Sequence, residues 1–185
     1  MFPRRTIVLI HCTYGRYLVE GCPDVTEIVC AEPNVFMLPQ LRAAAARCEA
    51  QRTAAGGKAL RIVVHHGTAE QWLATEAASG AFDACVIFLV LCSVGDPQNL
   101  VALLHDRALR PGGRLIFHEH VAPTSAIHRA VFAAMQPLWG LFGDGCQLSR
   151  NTASNVRTAA PWASFTMLWQ LGGPIPHAAA EAVKA

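Results

Sequence analysis

Short apolar runs alternate with helical patterns along this chain, and that alternation restricts the possible folds more than any other feature. Each run is rich in Val, Ile or Leu, which is typical of strands that are buried on both faces. The predicted strands comprise residues 6–10, 27–31, 60–64, 84–89 and 114–117. Because helical segments lie between them, the pattern predicts βαβ units and a mostly parallel sheet in an α/β fold.

The helical segments are predicted to pack on both faces of this sheet. They comprise residues 37–52, 99–109 and 126–142. The last of them carries apolar residues at helical spacing, and this stripe is expected to face the sheet. The stripe comprises Ile127, Val131, Met135 and Leu138. The Arg110-Pro-Gly-Gly113 segment is expected to end the preceding helix and turn into the fifth strand, because proline cannot continue a helix.

The pattern changes after residue 143. A short polar helix over residues 152–158 is followed by apolar segments 165–171 and 179–184, with a Gly-Gly-Pro turn between them. These two segments predict a C-terminal antiparallel hairpin. Since no repeat or linker interrupts the 185 residues, a single domain is predicted over residues 1–185.

Composition excludes several classes of protein. Hydrophobic residues make up 52% and charged residues 15%, which excludes a disordered chain. The formal net charge is +2 and the arginines are scattered, so no nucleic-acid partner is predicted. The longest apolar run, residues 84–94, is too short to span a bilayer. Seven cysteines form no CxxC pair and no signal sequence is evident, which predicts reduced thiols in a cytoplasmic protein.

Five motifs occur in a fixed order, and they carry a family resemblance. They are Leu89-Val-Leu-Cys-Ser-Val94, Leu109-Arg-Pro-Gly-Gly113, Glu119-His-Val121, Asp144-Gly-Cys-x-Leu-x-Arg150 and Pro176-His177…Ala182-Val-Lys184. Together they resemble the type-11 branch of the class I S-adenosylmethionine methyltransferases, which includes the small thiol methyltransferases. The resemblance implies a Rossmann-like, seven-stranded sheet with one antiparallel strand, and a small lipophilic or thiol acceptor. It also implies ligand binding at the carboxyl ends of the strands.

The resemblance assigns the turn after the first strand to the cofactor, and this turn departs from the family pattern. The family has a glycine-rich turn there, whose missing side chains let the backbone approach the cofactor. Here His11 and Thr13 replace two of the glycines, and only Gly15 remains. These side chains would occupy the space in which the backbone of the turn comes close to the cofactor, so conventional S-adenosylmethionine binding is predicted to be lost.

Other cofactor positions stay closer to the family pattern. Glu32, with Asn34 beside it, matches the acidic residue that accepts the ribose hydroxyls, although a solvated acid at a strand end is the alternative. The adenine-contacting loop corresponds to Gly67, Thr68 and Ala69. Phe88 and Leu89 lie at the end of the fourth strand, where the family has a small polar residue in place of the phenylalanine. The resemblance therefore predicts that these residues line the cofactor site.

Histidines at strand ends offer chemistry that needs no cofactor. His11, and His120 beside Glu119, are predicted catalytic residues, because neutral imidazole exchanges protons near pH 7. The alternatives are that His120 shapes the acceptor pocket and that His11 fills a vacated cavity. No spacing matches a closed zinc site, so no metal is predicted. Cys92 and Cys146 are expected to line the core or the pocket.

Three functions remain open on these observations. The first is a repurposed methyltransferase fold that cyclises, isomerises or eliminates a small apolar substrate without a cofactor. The alternative is a working methyltransferase that uses S-adenosylmethionine on a small lipophilic thiol or hydroxyl acceptor. A third is a pseudoenzyme that binds a partner protein. The chain begins close to its first strand, where the family has a helical lid. The pocket is therefore expected to be open, to be covered by a second subunit in a homodimer, or to hold a ligand that needs no such cover.

Overall fold

The structure is a computed structural model that describes residues 5–10, 22–75, 80, 82–143 and 145–185, the first of these ranges as backbone only. The strands are β1 (Arg5–Ile10), β2 (Val25–Glu32), β3 (Arg61–His66), β4 (Phe82–Phe88), β5 (Leu109–His120), β6 (Trp162–Leu171) and β7 (His177–Lys184). The helices are α1 (Leu38–Ala54), α2 (Ala69–Ala74), α3 (Pro97–Leu103), α4 (Ala126–Phe142) and α5 (Thr152–Ala159). This mixed α/β content is the fold class that the alternation predicts, and its architecture is the Rossmann-like one that the resemblance implies.

The strands form one sheet in the order β3-β2-β1-β4-β5-β7-β6. The pairs from β3 to β5 are parallel, whereas β7 runs antiparallel to both of its neighbours. The direction in which successive strands are added reverses between β1 and β4. In open α/β sheets, ligands bind in the crevice outside the carboxyl ends of the strands at such a reversal. The topology thus places the candidate site beyond the ends of β1, β2, β4 and β5.

Both faces of the sheet are buried at its central strands, because alternate residues of a strand enter different cores. On β2, Val29 and Ala31 join a core that includes residues of α2, α3 and α5. Ile28 and Cys30 join a second core that includes Cys48 of α1. Burial on both faces explains why the sequences of the central strands are continuous apolar runs.

Most predicted bounds shift by a few residues, and the largest differences lie where the third helix meets β5. The helix predicted over residues 99–109 ends earlier, as α3 followed by a π-helical turn over Leu104–Ala108. The Arg110-Pro-Gly-Gly113 segment lies inside β5 as a bulge, since Leu109 pairs with Phe82 whereas Arg114 pairs with Ala84. Gly112 allows this bulge by adopting a φ of 73°.

The orientation predicted for α4 is wrong, although its bounds agree with the prediction. The apolar stripe of Ile127, Val131, Met135 and Leu138 faces outward, with side chains 46–79% exposed. The helix instead turns Phe132 and Gln136 inward, and Gln136 donates to the Cys146 carbonyl and accepts from the Leu148 N–H. These hydrogen bonds satisfy backbone groups of the following segment, which fixes the orientation of the helix.

No helix in the described part of the chain is both long and apolar enough to cross a bilayer.

We expect opposite effects from alanine at two glycines. A Cβ at Gly113 would lie 2.7 Å from the Arg110 carbonyl oxygen and 3.1 Å from that of Phe82, so Gly113→Ala should destabilise the fold by about 2 kcal/mol. A Cβ at Gly140, inside α4, meets no atom within 4 Å, so Gly140→Ala should stabilise it by about 1 kcal/mol. Urea denaturation measures both, and equal effects of the two substitutions would contradict the expectation.

Candidate functional site

A cavity of about 490 Å³ lies at the carboxyl ends of the parallel strands. Its walls come from the segment after β2, the β4 loop (residues 89–94), the last residue of β5, and α4 with the segment that follows it. The lining side chains used below are Glu32, Asn34, Leu89, Cys92, His120, Trp139 and Cys146. This position is the one that the reversal of strand order selects.

Glu32 forms one end of the cavity at the last position of β2. It is 4% exposed, and its Oε1 accepts the N–H of Asn34 at 2.8 Å. The Asn34 side chain in turn accepts the N–H of Phe36 at 3.0 Å. These bonds orient a carboxylate at a strand end, where such a group can accept hydrogen bonds from ribose hydroxyls.

The β4 loop is held in place by a buried carboxylate beneath it. Glu119 is fully buried, and its Oε1 accepts the N–H groups of Val90 at 2.7 Å and Leu91 at 2.9 Å. Its Oε2 accepts the Cys92 N–H at 3.2 Å. Burial raises the pKa of the Glu119 carboxyl, and these backbone hydrogen bonds oppose that rise.

Arg150 holds the same loop from its carbonyl side. Its guanidinium donates to the carbonyl oxygens of Leu91 at 2.7 Å and Val94 at 2.5 Å. The first residue of the loop, Leu89, has a φ of 53°, in the left-handed region that non-glycine residues seldom occupy. The buried Glu119 and the half-buried Arg150 therefore impose the shape of the cavity wall.

Cys92, His120 and Cys146 form a cluster on the cavity wall. The His120 Nδ1 lies 3.1 Å from the Cys146 Sγ, and one side-chain N or S atom from each of the three residues lies within 4.8 Å of the others. Thiolate sulphur and imidazole nitrogen are the donors that soft and borderline metal ions prefer. The cluster can therefore act as an acid–base group, as a nucleophile or as a metal-binding group.

The two thiols of the cluster have different acidities. The hydrogen bond from the Cys92 thiol lowers the pKa of Cys146, and His120 lowers it further. The indole N–H of Trp139 also lies toward this sulphur, without the geometry of a full hydrogen bond, and acts in the same direction. The same interaction between the two thiols, together with burial, raises the pKa of Cys92. Cys146 is therefore the more acidic thiol of the pair.

We expect Cys146 to be the most reactive of the six cysteines that the structure describes. In chelator-treated protein, its alkylation by iodoacetamide should slow by less than about 2-fold between pH 8 and pH 6. A cysteine peptide with an ordinary pKa slows by roughly 75-fold over that range. Peptide mass spectrometry measures the rate for each cysteine, and a pH profile like that of the free peptide would contradict this expectation.

A second group of rings lies beside the cluster on the same face of the sheet. His118 Nε2 is 3.0 Å from His177 Nδ1, and the His118 ring packs edge-on against Phe88 and Trp169. Burial lowers the pKa of both histidines, and the neighbouring imidazoles lower it further. These shifts favour the neutral form of both imidazoles, and the His177 ring packs edge-on against His120 of the cluster.

The structure brings four of the predicted site residues together. Glu32, Asn34, Leu89 and His120 all line the cavity. Glu119 does not reach it, because its carboxylate binds the β4 loop from below. The prediction that Glu119 is catalytic is therefore replaced by a positioning role.

The predicted adenine loop and Phe88 lie away from the lining of this cavity. The Thr68 hydroxyl accepts the Gln71 N–H, and the Gln71 side chain accepts the Thr68 N–H, so Thr68 caps α2. Ala69 is buried in the core, and the Gly67 N–H donates to the Glu32 carbonyl at 3.1 Å. The predicted residues His11 and Gly15 lie outside the described residues.

The sequence did not predict that Cys92 and Cys146 would form a chemical group with His120. Each cysteine lies in one of the ordered motifs, and that placement was the available signal. The residues are far apart along the chain, so their proximity depends on the sheet and on α4.

Comparisons with known proteins agree with this architecture. The family model described as a methyltransferase domain matches residues 12–117. Rat thiol S-methyltransferase TMT1B is 32% identical over 131 residues, which cover 67% of this chain and 51% of that protein. The chain thus spans about half the length of this curated relative.

Solved structures share the fold. YcgJ from Bacillus subtilis has a TM-score of 0.67 at 12% identity and covers 98% of this chain and 92% of its own. The [4+2]-cyclase SpnF has a TM-score of 0.64 at 16% identity and covers 100% of this chain and 76% of its own. Because the identities are low, these likenesses establish the fold alone.

Proposed function

Since this chain belongs to the methyltransferase-domain family, we propose that it is an S-adenosylmethionine-dependent methyltransferase of a small lipophilic thiol. The observation that carries the proposal is that Glu32 and the Cys92–His120–Cys146 cluster line the same cavity. A carboxylate at the end of β2 suits a ribose, and a sulphur-rich wall suits a thiol acceptor. The thiol S-methyltransferase relative supports this acceptor class.

Different residues of the cavity bind the cofactor, shape the wall and contact the acceptor. Glu32 accepts the ribose hydroxyls, with its carboxylate oriented by the Asn34 N–H. The β4 loop forms the wall between the two ends of the cavity, and Glu119 holds it rigid. The cluster contacts the acceptor and promotes loss of its proton. S-Adenosylmethionine, when bound, supplies a methyl group on a sulfonium centre.

Few side chains are needed for methyl transfer, because the main requirement is to position the acceptor sulphur against the methyl carbon. Methyl transfer to a thiolate requires the sulphur and the methyl carbon to be in contact and in line. The cavity wall between its two ends is the β4 loop, whose backbone Glu119 and Arg150 hold in place, and the lining there includes Leu89, Val90 and Val94. A neutral apolar thiol therefore enters more readily than a charged one.

Binding and transfer are tested together. We expect calorimetric titration to show saturable binding of S-adenosylmethionine and S-adenosylhomocysteine, and labelled methyl transfer to thiophenol but not to its matched hydroxyl analogue, phenol. Failure of a folded protein to bind either cofactor form would overturn the proposal in favour of the cofactor-free reading. Binding without transfer to any lipophilic thiol would overturn the acceptor class.

A further inference from the structure

Three metal-binding atoms meet on the cavity wall from three separate segments. Cys92 belongs to the β4 loop, His120 ends β5, and Cys146 follows α4. The three donor atoms lie within 4.8 Å of one another. Donors of a tetrahedral zinc ion are roughly 3.5 Å apart, so side-chain shifts of about an ångström bring all three to one ion.

We propose that Cys92, His120 and Cys146 bind one zinc ion whose fourth coordination position takes the acceptor thiol. The identity of the fourth ligand rests on the function proposed above, whereas the metal site itself does not. Two sulphurs and one nitrogen with a fourth position left open form a donor set that catalytic zinc sites use. Magnesium and calcium prefer oxygen ligands and do not fit this set.

The backbone of each of the three ligands forms a hydrogen bond with a side chain outside the cluster, and such outer partners usually orient the ligands of metal sites. The bonds run from the Cys92 N–H to Glu119 at 3.2 Å, from Gln136 to the Cys146 carbonyl at 2.9 Å, and from the Thr152 hydroxyl to the His120 carbonyl at 2.9 Å. These supports come from β5, α4 and α5, so side chains of regular elements hold the loop segments that carry Cys92 and Cys146.

The fourth position faces the cavity, because all three ligands line it. An acceptor thiol displaces a metal-bound water, and its S–H proton passes to solvent as the sulphur–zinc bond forms. A lone pair of the bound sulphur then forms the new bond to the methyl carbon. The sulfonium C–S bond breaks, its electron pair stays on the sulphur of S-adenosylhomocysteine, and the neutral thioether leaves the zinc.

Cobalt is the probe for the site, because Co²⁺ replaces Zn²⁺ and reports thiolate ligands by its charge-transfer absorption. We expect the full chain to bind one equivalent of Co²⁺ with a thiolate charge-transfer band, and Zn²⁺ to displace it. Cys146→Ser should weaken Co²⁺ binding by at least about 100-fold, the upper end of what loss of a supporting partner costs. The matched control, Cys22→Ser, lies outside the cavity lining and should change nothing.

The wild-type protein by itself makes the proposal falsifiable, whether or not the variant folds. Absence of a thiolate band on Co²⁺ addition, with circular dichroism showing a folded protein, would overturn the metal site. Thiophenol should alter the spectrum of the Co²⁺ form, and an unchanged spectrum would overturn the role of the fourth position.

The two proposals fail in different ways. Methyl transfer that persists undiminished after metal removal by chelation would overturn the role of zinc as the ligand of the acceptor thiol and leave the methyltransferase intact, with His120 as the proton acceptor. A Co²⁺ spectrum that responds to thiophenol in a protein that transfers no methyl group would support the metal site and overturn the proposed function.

Discussion

Glu119→Ala is expected to lower the free energy of unfolding by at least about 3 kcal/mol, because it leaves three N–H groups, two of them fully buried, without an acceptor. The carboxylate is fully buried and accepts the backbone of Val90, Leu91 and Cys92 at 2.7–3.2 Å. Each unsatisfied buried donor costs about 1–3 kcal/mol, and the lost side chain adds a cavity. Because these donors belong to the β4 loop, ligand binding should fail along with stability.

Two further variants separate this effect from general loss of charge. Glu119→Gln keeps one oxygen for Val90 and Leu91 and loses only the bond to Cys92, so its cost should be smaller. Glu181→Ala breaks an exposed ion pair with Arg114 at 2.6 Å and should cost less than about 1 kcal/mol. Urea denaturation measures all three, and a Glu119→Ala cost no larger than that of Glu181→Ala would refute the positioning role.

Glu32→Ala is expected to weaken S-adenosylhomocysteine binding about 100-fold. The carboxylate would accept two ribose hydroxyls, and a hydrogen bond to a charged group contributes about 1.5–3 kcal/mol. Loss of about 3 kcal/mol corresponds to roughly two orders of magnitude in Kd. Glu32 is 4% exposed and lines the cavity, so its hydrogen bonds to the ribose would be shielded from water and would contribute strongly to binding.

The control for Glu32 lies on the same strand. Glu27→Ala removes a carboxylate from β2 that forms an ion pair with Arg61 at 3.6 Å, away from the cavity lining, so its Kd should stay at the wild-type value. Isothermal titration gives both values, and thermal melts check that each variant is folded. Similar Kd values for the two variants would exclude Glu32 as the ribose ligand.

Local sequence patterns predicted the strands well and the orientation of α4 badly. Strands buried on both faces are recognisable because every residue is apolar, as in the run that contains Ala84 and Ile87. For α4, periodicity gave the helix and its apolar stripe, but the inward face is decided by partners elsewhere in the chain. Gln136 finds them in Cys146 and Leu148, and no local pattern reports that contact.

The amino-acid sequence by itself determined the α/β class, the family and the position of Glu32 at a strand end, because each depends on residues that are neighbours along the chain. Only the tertiary structure decided that Cys92, His120 and Cys146 share one wall of a cavity. It also decided that Glu119, adjacent to His120, holds a loop from the opposite face of β5. The physical reason is that alternate side chains of a strand point to opposite faces, while a parallel sheet gathers the ends of distant strands at one edge.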